Sequence, residues 1–347
     1  MRFVLLLHSM RTYLFIGLFC LVVPASLSAQ VQEISELQET ARQFMRSGDW
    51  NNAVLVLNKA MTVDPQNIQV QKDLALTYYY QRDYVKSKAV IQPLVDRQDA
   101  DVQVFQIAGN LHKALQEIKE CEKLYKKGLK KYPESGPLYA EYGELLWMTK
   151  DNNCIQQWEQ GIKTDPSYAA NYYHAARFYS LTKDIVWALL YGEMFLNMES
   201  YTNRTAEIKS LLLETFKRIF LQNADQLKQT KGQGEFSESV LNILFKNSST
   251  INKGITTESL VMLRTRFLLD WYHENKDRFP FRLFEHQRQL LQEGLFEAYN
   301  YWIFEAPSNL ASFENWTKTH AESYTEFTRF QKSKIFKVPQ GQYYKTK

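Results

Sequence analysis

Residues 102–135, VQVFQIAGNLHKALQEIKECEKLYKKGLKKYPES, and residues 136–168, GPLYAEYGELLWMTKDNNCIQQWEQGIKTDPSY, read as two copies of one pattern. Phe105 matches Tyr139, Gly109 matches Gly143, Cys121 matches Cys154, Tyr125 matches Trp158, and Pro133 matches Pro166, with one residue deleted in the later copy. Outward from there the step is 34 residues: Ala53, Ser87 and Cys121 fall in one row, and Ala188 continues it after Cys154. A copy from Ile34 sets Leu37, Ala41, Phe44, Ala53, Leu57, Ala60 and Pro65 in slots 4, 8, 11, 20, 24, 27 and 32. A copy from Ile68 keeps Ala75, Tyr78, Ser87 and Ile91, and one from Ala169 keeps Tyr172, Ala176, Tyr179, Ala188 and Gly192. A fixed step of this length means one supersecondary unit per copy, each unable to shield its apolar side without a neighbour.

Period and slot residues together resemble the tetratricopeptide repeat family over roughly half the chain. The resemblance implies an all-α fold: a right-handed α-solenoid of about five helix hairpins (34–67, 68–101, 102–135, 136–168 and 169–202), then a helical C-terminal domain. Slots 8, 20 and 27 then lie where the two helices of a hairpin cross closely, so Gly, Ala, Ser or Cys fits there. Slots 4, 11 and 24 take large apolar groups between units, and the proline of slot 32 ends the second helix. Pro93 and the bulky Leu94 break the pattern in the second unit, where an early helix end is expected. Cys121 and Cys154 share a slot one unit apart, ~10 Å by helix-packing distances. That exceeds disulfide reach and favours two small buried residues.

Residues 1–29 carry Arg2 and Arg11, an apolar run from Tyr13 to Val23, Pro24 and the small stretch Ala25–Ala29. This is the pattern of a cleaved secretory signal, with Met1 or Met10 as start and cleavage after Ser28 or Ala29. Phe19 before Cys20 is a poor lipoprotein signal. An exported location, periplasmic or secreted, with no stable membrane span after cleavage, is the expectation. Losing two arginines and no acids takes the net charge from +4 to +2, too close to neutral to suggest a nucleic-acid partner.

Beyond the repeats, Ile208, Leu211, Leu212, Thr215, Phe216, Ile219 and Phe220 form a 3.6-residue stripe, a capping helix over 203–222. Residues 223–237 read as a polar, glycine-containing linker. An aromatic-rich helical domain is expected over 238–332: a short helix to about Phe245, one N-capped near Thr257, a long one from Leu283 to Phe304, a turn at Pro307–Asn309, and a last helix to Lys332. Residues 333–347 read as a basic, solvated tail whose Tyr343–Tyr344 pair could dock back.

The family's groove-lining slots 2, 5, 9 and 12 carry over to Arg42, Lys72, Tyr79, Asn110, Lys113, Glu144, Trp147, Tyr173 and Arg177, with Met45, Leu76 and Gln106 beside them. Cations mixed with rings suit an extended peptide or protein segment. The family's carboxylate-clamp pattern is not reproduced, since Leu76 and Glu141 stand where its asparagines are needed. No His-Glu-x-x-His, Gly-x-Ser-x-Gly, Cys-x-x-Cys or phosphate-loop pattern occurs. The sequence therefore suggests a non-enzymatic exported scaffold for a protein or peptide partner, without catalytic, cofactor or metal site. The alternative is a glycan- or small-ligand-binding, even hydrolytic, C-terminal domain with Trp302 and Trp316 as platforms.

Overall fold

The computed structural model describes residues 30–221 and 234–345. The expected signal segment 1–29 and residues 223–233 of the expected linker lie outside the described residues. Among the described residues there is no strand, and no helix is long and apolar enough to cross a membrane. The chain divides into two compact bodies, one ending at Lys126 and the other beginning at Lys127.

The first body is built of paired helices. They are α1 (residues 30–47) and α2 (Trp50–Val63), α3 (Ile68–Tyr80) and α4 (Tyr84–Ile91), then α5 (Val102–Ala114) and α6 (Ile118–Lys131), within which the division falls. The small slots are at tight crossings: Ala41, Ala53, Ala60, Ala75 and Ser87 are fully buried. A Cβ at Gly109 would come within 2.2 Å of the Tyr125 hydroxyl oxygen, so only glycine lets α5 approach that ring. Slot 20 adds a bond to slot 8. The Ser87 hydroxyl donates to the Ala75 carbonyl at 2.9 Å, and the Cys121 thiol to that of Gly109 at 3.5 Å. Pro93 lies in a 3₁₀ turn (Gln92–Asp96) that replaces the end of α4, because its ring forbids the α-helical hydrogen bond.

The turn inside each hairpin has its own repeat. Gly48, Arg82, Gln116 and Lys150 all have φ between 58° and 76°, the left-handed conformation that closes a helix. The next residue is acidic each time: Asp49, Asp83, Glu117 and Asp151. The Asp49 carboxylate accepts from Asn52 N and that of Asp83 from Lys86 N, satisfying an otherwise unpaired amide at the start of the second helix.

The second body contains the hairpins α7 (Gly136–Met148) with α8 (Cys154–Thr164) and α9 (Ala169–Ser180) with α10 (Ile185–Met198). Here a Cβ on Gly143 would meet the Trp158 indole nitrogen at 2.2 Å, the Gly109–Tyr125 relation again. Helix α11 (Asn203–Leu221) starts one repeat step after α9 and packs on α10 and α9. Cys121 and Cys154 are free and buried, and burial pushes the Cys154 thiol up to about 11.

The C-terminal helices do not form the separate domain expected from 238 onward. They share a core with α10 and α11. Helix α12 (Glu235–Lys246) opens on Phe236, a residue assigned to the linker, and that ring is the hub of the core. It lies 4.7 Å from Tyr344, 5.0 Å from Phe281, 5.5 Å from Trp271 and 5.7 Å from Trp187. Helix α13 (Thr257–Glu274) is capped by Thr256, one residue before the expected cap, through a reciprocal bond with Ser259.

The long helix expected over 283–304 is two, α14 (Arg282–Gln292) and α15 (Phe296–Asn300), because Gly294 at φ +73° ends the first. α15 continues through a π turn (Tyr301–Glu305) into Ala306–Ser308, so Pro307 sits in helix and the break falls at Asn309. The last expected helix is likewise divided at His320 into α16 (Leu310–Thr319) and α17 (Ala321–Ser333).

The tail is docked, correcting the solvated end. Phe336, Val338 and Tyr344 are buried. The Tyr344 hydroxyl donates to the Pro280 carbonyl at 2.7 Å, and the Lys345 ammonium lies 3.1 Å from Asp184 and over the Tyr179 and Trp187 rings.

A buried polar cluster ties this core together. One carboxylate oxygen of Glu193 on α10 accepts from the Arg264 guanidinium, from Gln287 at 2.7 Å and from the Tyr299 hydroxyl at 2.8 Å. Arg264 also donates to Asn300. Burial and the adjacent Glu193 carboxylate push the Tyr299 hydroxyl well above its ordinary range.

Candidate functional site

Each groove residue carried over from the family can be placed within its own body. In the first, Arg42 on α1 reaches Asp73 on α3 at 3.4 Å, while Gln69 holds the other oxygen at 2.9 Å. Burial raises the Asp73 carboxyl against the opposing pull of Arg42. Lys72 is buried, its ammonium given to Asp101, the N-cap of α5, and to Gln103 at 2.9 Å. It is an interhelical tie, so it leaves the set of groove cations. Tyr79, Asn110 and Lys113 remain half-buried on α3 and α5.

In the second body Tyr173 and Arg177 are also structural. Tyr173 is buried and its hydroxyl donates to Glu207 on α11 at 2.6 Å. Arg177 pairs with the other Glu207 oxygen at 2.8 Å and lies over the Tyr173 ring. Burial, with Glu207 alongside, pushes the Tyr173 hydroxyl up to about 12. α11 thus takes the place where a sixth unit would expose these residues. Glu144 and Trp147 stay half-buried, and the Trp147 ring packs 5.9 Å from both Trp158 and Phe178.

The structure adds residues that the family slots miss. Tyr80 on α3 is 51% exposed and stacks on Trp50 of α2 at 5.0 Å. Tyr79 meets Tyr80 at 5.6 Å and Tyr84 at 5.8 Å. Beside them is an open hollow of about 540 Å³ whose walls include Asp49, Trp50, Asn51, Tyr80, Gln81 and Asp83. The signal was present as rings flanking the turn of one hairpin and the end of the next A helix. Nothing in the 34-residue slot pattern singles it out, because only these two units carry it.

The aromatic platforms proposed for the C-terminal part are not open. Trp302 and Trp316 are buried, and Trp316 is stacked 4.2 Å from Tyr301 and 4.6 Å from His320. His286 is buried among Tyr299, Phe330 and Phe336, and burial, with Arg282 and Lys334 adding to it, lowers its imidazole to about 3. It is a neutral core residue. No group of three or more metal-ligating side chains assembles among the described residues.

No protein-family model matches the sequence, and no curated protein matches it. Among solved structures the chain is similar to a thermophilic tetratricopeptide protein of Thermus thermophilus, at 14% identity, 52% of this chain, 99% of that one and TM-score 0.45. It is also similar to pilF of Pseudomonas aeruginosa, at 14% identity, 60% and 96% coverage and TM-score 0.47. A tetratricopeptide repeat protein of Parabacteroides merdae is similar at 15% identity, 70% and 92% coverage and TM-score 0.41. Likeness this low assigns no ligand or partner.

Proposed function

We propose that this tetratricopeptide-type chain is a non-enzymatic exported scaffold that holds an extended segment of a partner protein on its first body. The contact surface is Tyr79, Asn110 and Lys113, continued by the Trp50–Tyr80 pair. The observation that carries the reading is the stacked, half-open Trp50–Tyr80–Tyr79 cluster beside a polar hollow. Rigid amphipathic rings of this kind give contact area at low entropic cost and recur as anchors of protein interfaces. Lys113 lies half-buried within the same body.

Export rests on the 1–29 pattern, and N-terminal sequencing of the exported form gives Ser28 or Ala29 as the last residue removed. For binding, the exported protein is cross-linked in its native envelope and the captured polypeptides are identified. Replacing Trp50, Tyr79 and Lys113 together by alanine abolishes that capture. Unchanged capture by a folded triple variant removes this surface from the account.

A further inference from the structure

A second site, independent of the peptide surface, lies at the start of α11. There a cavity of about 290 Å³ is walled by Ser200 and Thr202 before the helix, Lys209 and Ser210 on it, and Trp302 and Pro307 opposite. Three observations meet at this place. Lys209 holds its ammonium nitrogen 3.9 Å from the Trp302 ring centre. Trp302 belongs to the π turn, a local irregularity that costs helix geometry and clusters at functional places. And Lys209 has no carboxylate at ion-pair distance among the described residues, unlike Lys72 with Asp101 and Lys345 with Asp184.

Glu199, Glu207 and Glu305 have partners of their own. Glu199 is held by Arg204 and Thr202, Glu207 by Arg177 and Tyr173, and Glu305 accepts the Thr257 hydroxyl. Lys332 lies over Tyr201 at the same end of the body. The Ser200, Thr202 and Ser210 hydroxyls donate to Leu196 O, Glu199 and Ala206 O, so what they offer the cavity is lone pairs.

We propose that this cavity binds a small carboxylate that carries hydroxyl or amino donors, with Lys209 as its counter-ion and the Ala306–Pro307 wall against its hydrocarbon part. The negative charge supplies what no described residue gives Lys209. The ligand's donors find the spare oxygens of Ser200, Thr202 and Ser210. Without ligand, burial alone lowers the Lys209 amine to about 7, so near neutrality it is partly unprotonated. Carboxylate binding then takes up a proton, Lys209 passing from amine to ammonium while the ligand stays ionised.

The test is amine-specific acylation of the full chain, with each lysine read by mass spectrometry over a range of pH. At pH 7.5 Lys209 reacts at least ~10-fold faster than the exposed Lys150, since an ordinary lysine is almost wholly protonated there. Saturating lactate or glycerate, as sodium salts, slows Lys209 alone and moves its labelling midpoint upward by ~1, the effect of one adjacent opposite charge. An acidic tripeptide is the second arm: protection by the peptide and not by the small acids assigns the carboxylate to a polypeptide end and overturns the small-ligand form. Protection by inorganic phosphate alone overturns the carboxylate. Ala306→Leu fills the cavity without touching the amine and abolishes protection while Lys209 stays reactive. Equal protection in A306L, or none by any probe in the wild-type chain, refutes the site.

Discussion

Replacing Arg264 by methionine tests whether the C-terminal helices and the fifth hairpin form one core. The side chains of Glu193 and Arg264 are 7% and 4% exposed, so neither charge can turn to water. Methionine keeps most of the apolar stem but strands the Glu193 carboxylate with only the Gln287 and Tyr299 donors. Removing one partner of a buried ion pair costs ~3–5 kcal/mol. For a cooperative body the size of residues 127–347, where 1 kcal/mol moves Tm by about 2–4 °C, the expected loss is ~6–20 °C.

Adding Glu193→Leu removes the stranded charge and recovers most of the loss, since an apolar replacement of a buried pair is often neutral. Thermal melts followed by circular dichroism at pH 7.5 measure all three chains. A deficit under ~1 kcal/mol in R264M, the range of an exposed pair, or the same deficit in the double variant, refutes the buried cluster.

Gly109→Ala lowers the stability of the first body by ~1–2 kcal/mol in urea titration, because overpacking against Tyr125 outweighs the helix gain of ~1 kcal/mol. Tyr125→Leu added to it recovers at least half, as in the natural Ala41–Leu57 and Ala75–Ile91 units; additive losses would contradict the crossing. Arg82→Gly and Lys150→Gly each stabilise by ~0.5–1 kcal/mol, since a left-handed non-glycine residue carries a strain of ~1–2 kcal/mol, partly offset by glycine's freedom when unfolded. Loss of stability in both would mean that the turn is not left-handed. Tyr344→Ala lowers the Tm of the second body by a cost of ~3 kcal/mol, as for a buried ring. An unchanged Tm would return the tail to solvent.

The hairpins were legible because their constraint is local and periodic. Gly109 and Gly143 must be small where a ring crosses, and that demand recurs every repeat. The acids at Asp49, Asp83, Glu117, Asp151 and Asp184 recur at the repeat step, a regularity that the slot pattern left unread, and Asp49 and Asp83 cap the helices that follow them. The C-terminal half follows a different rule. A 3.6-residue stripe runs on across Gly294 and His320, so periodicity alone does not locate those breaks.

Phe236 sits among polar residues in sequence, and its burial arises from Trp187, Trp271 and Tyr344, all distant along the chain. The same holds for the site. Slot arithmetic finds Lys72, Tyr173 and Arg177, but whether such a residue faces a partner or its own chain depends on Asp101 and Glu207, which are set by the next unit. Tyr79, Asn110 and Lys113 stay half-buried on α3 and α5, and Trp50 and Tyr80 join them from outside the slot pattern.

The most direct test places a photo-activated cross-linking side chain at Asn110, on the half-exposed surface of α5, and at Lys59, on the exposed side of α2, in the protein expressed in its native cells. Irradiation in those cells is expected to trap one discrete polypeptide at position 110 and not at 59, with the yield falling when Tyr79 and Trp50 are both alanine. Equal products at the two positions, or a yield untouched by loss of those rings, would contradict a partner held on this surface.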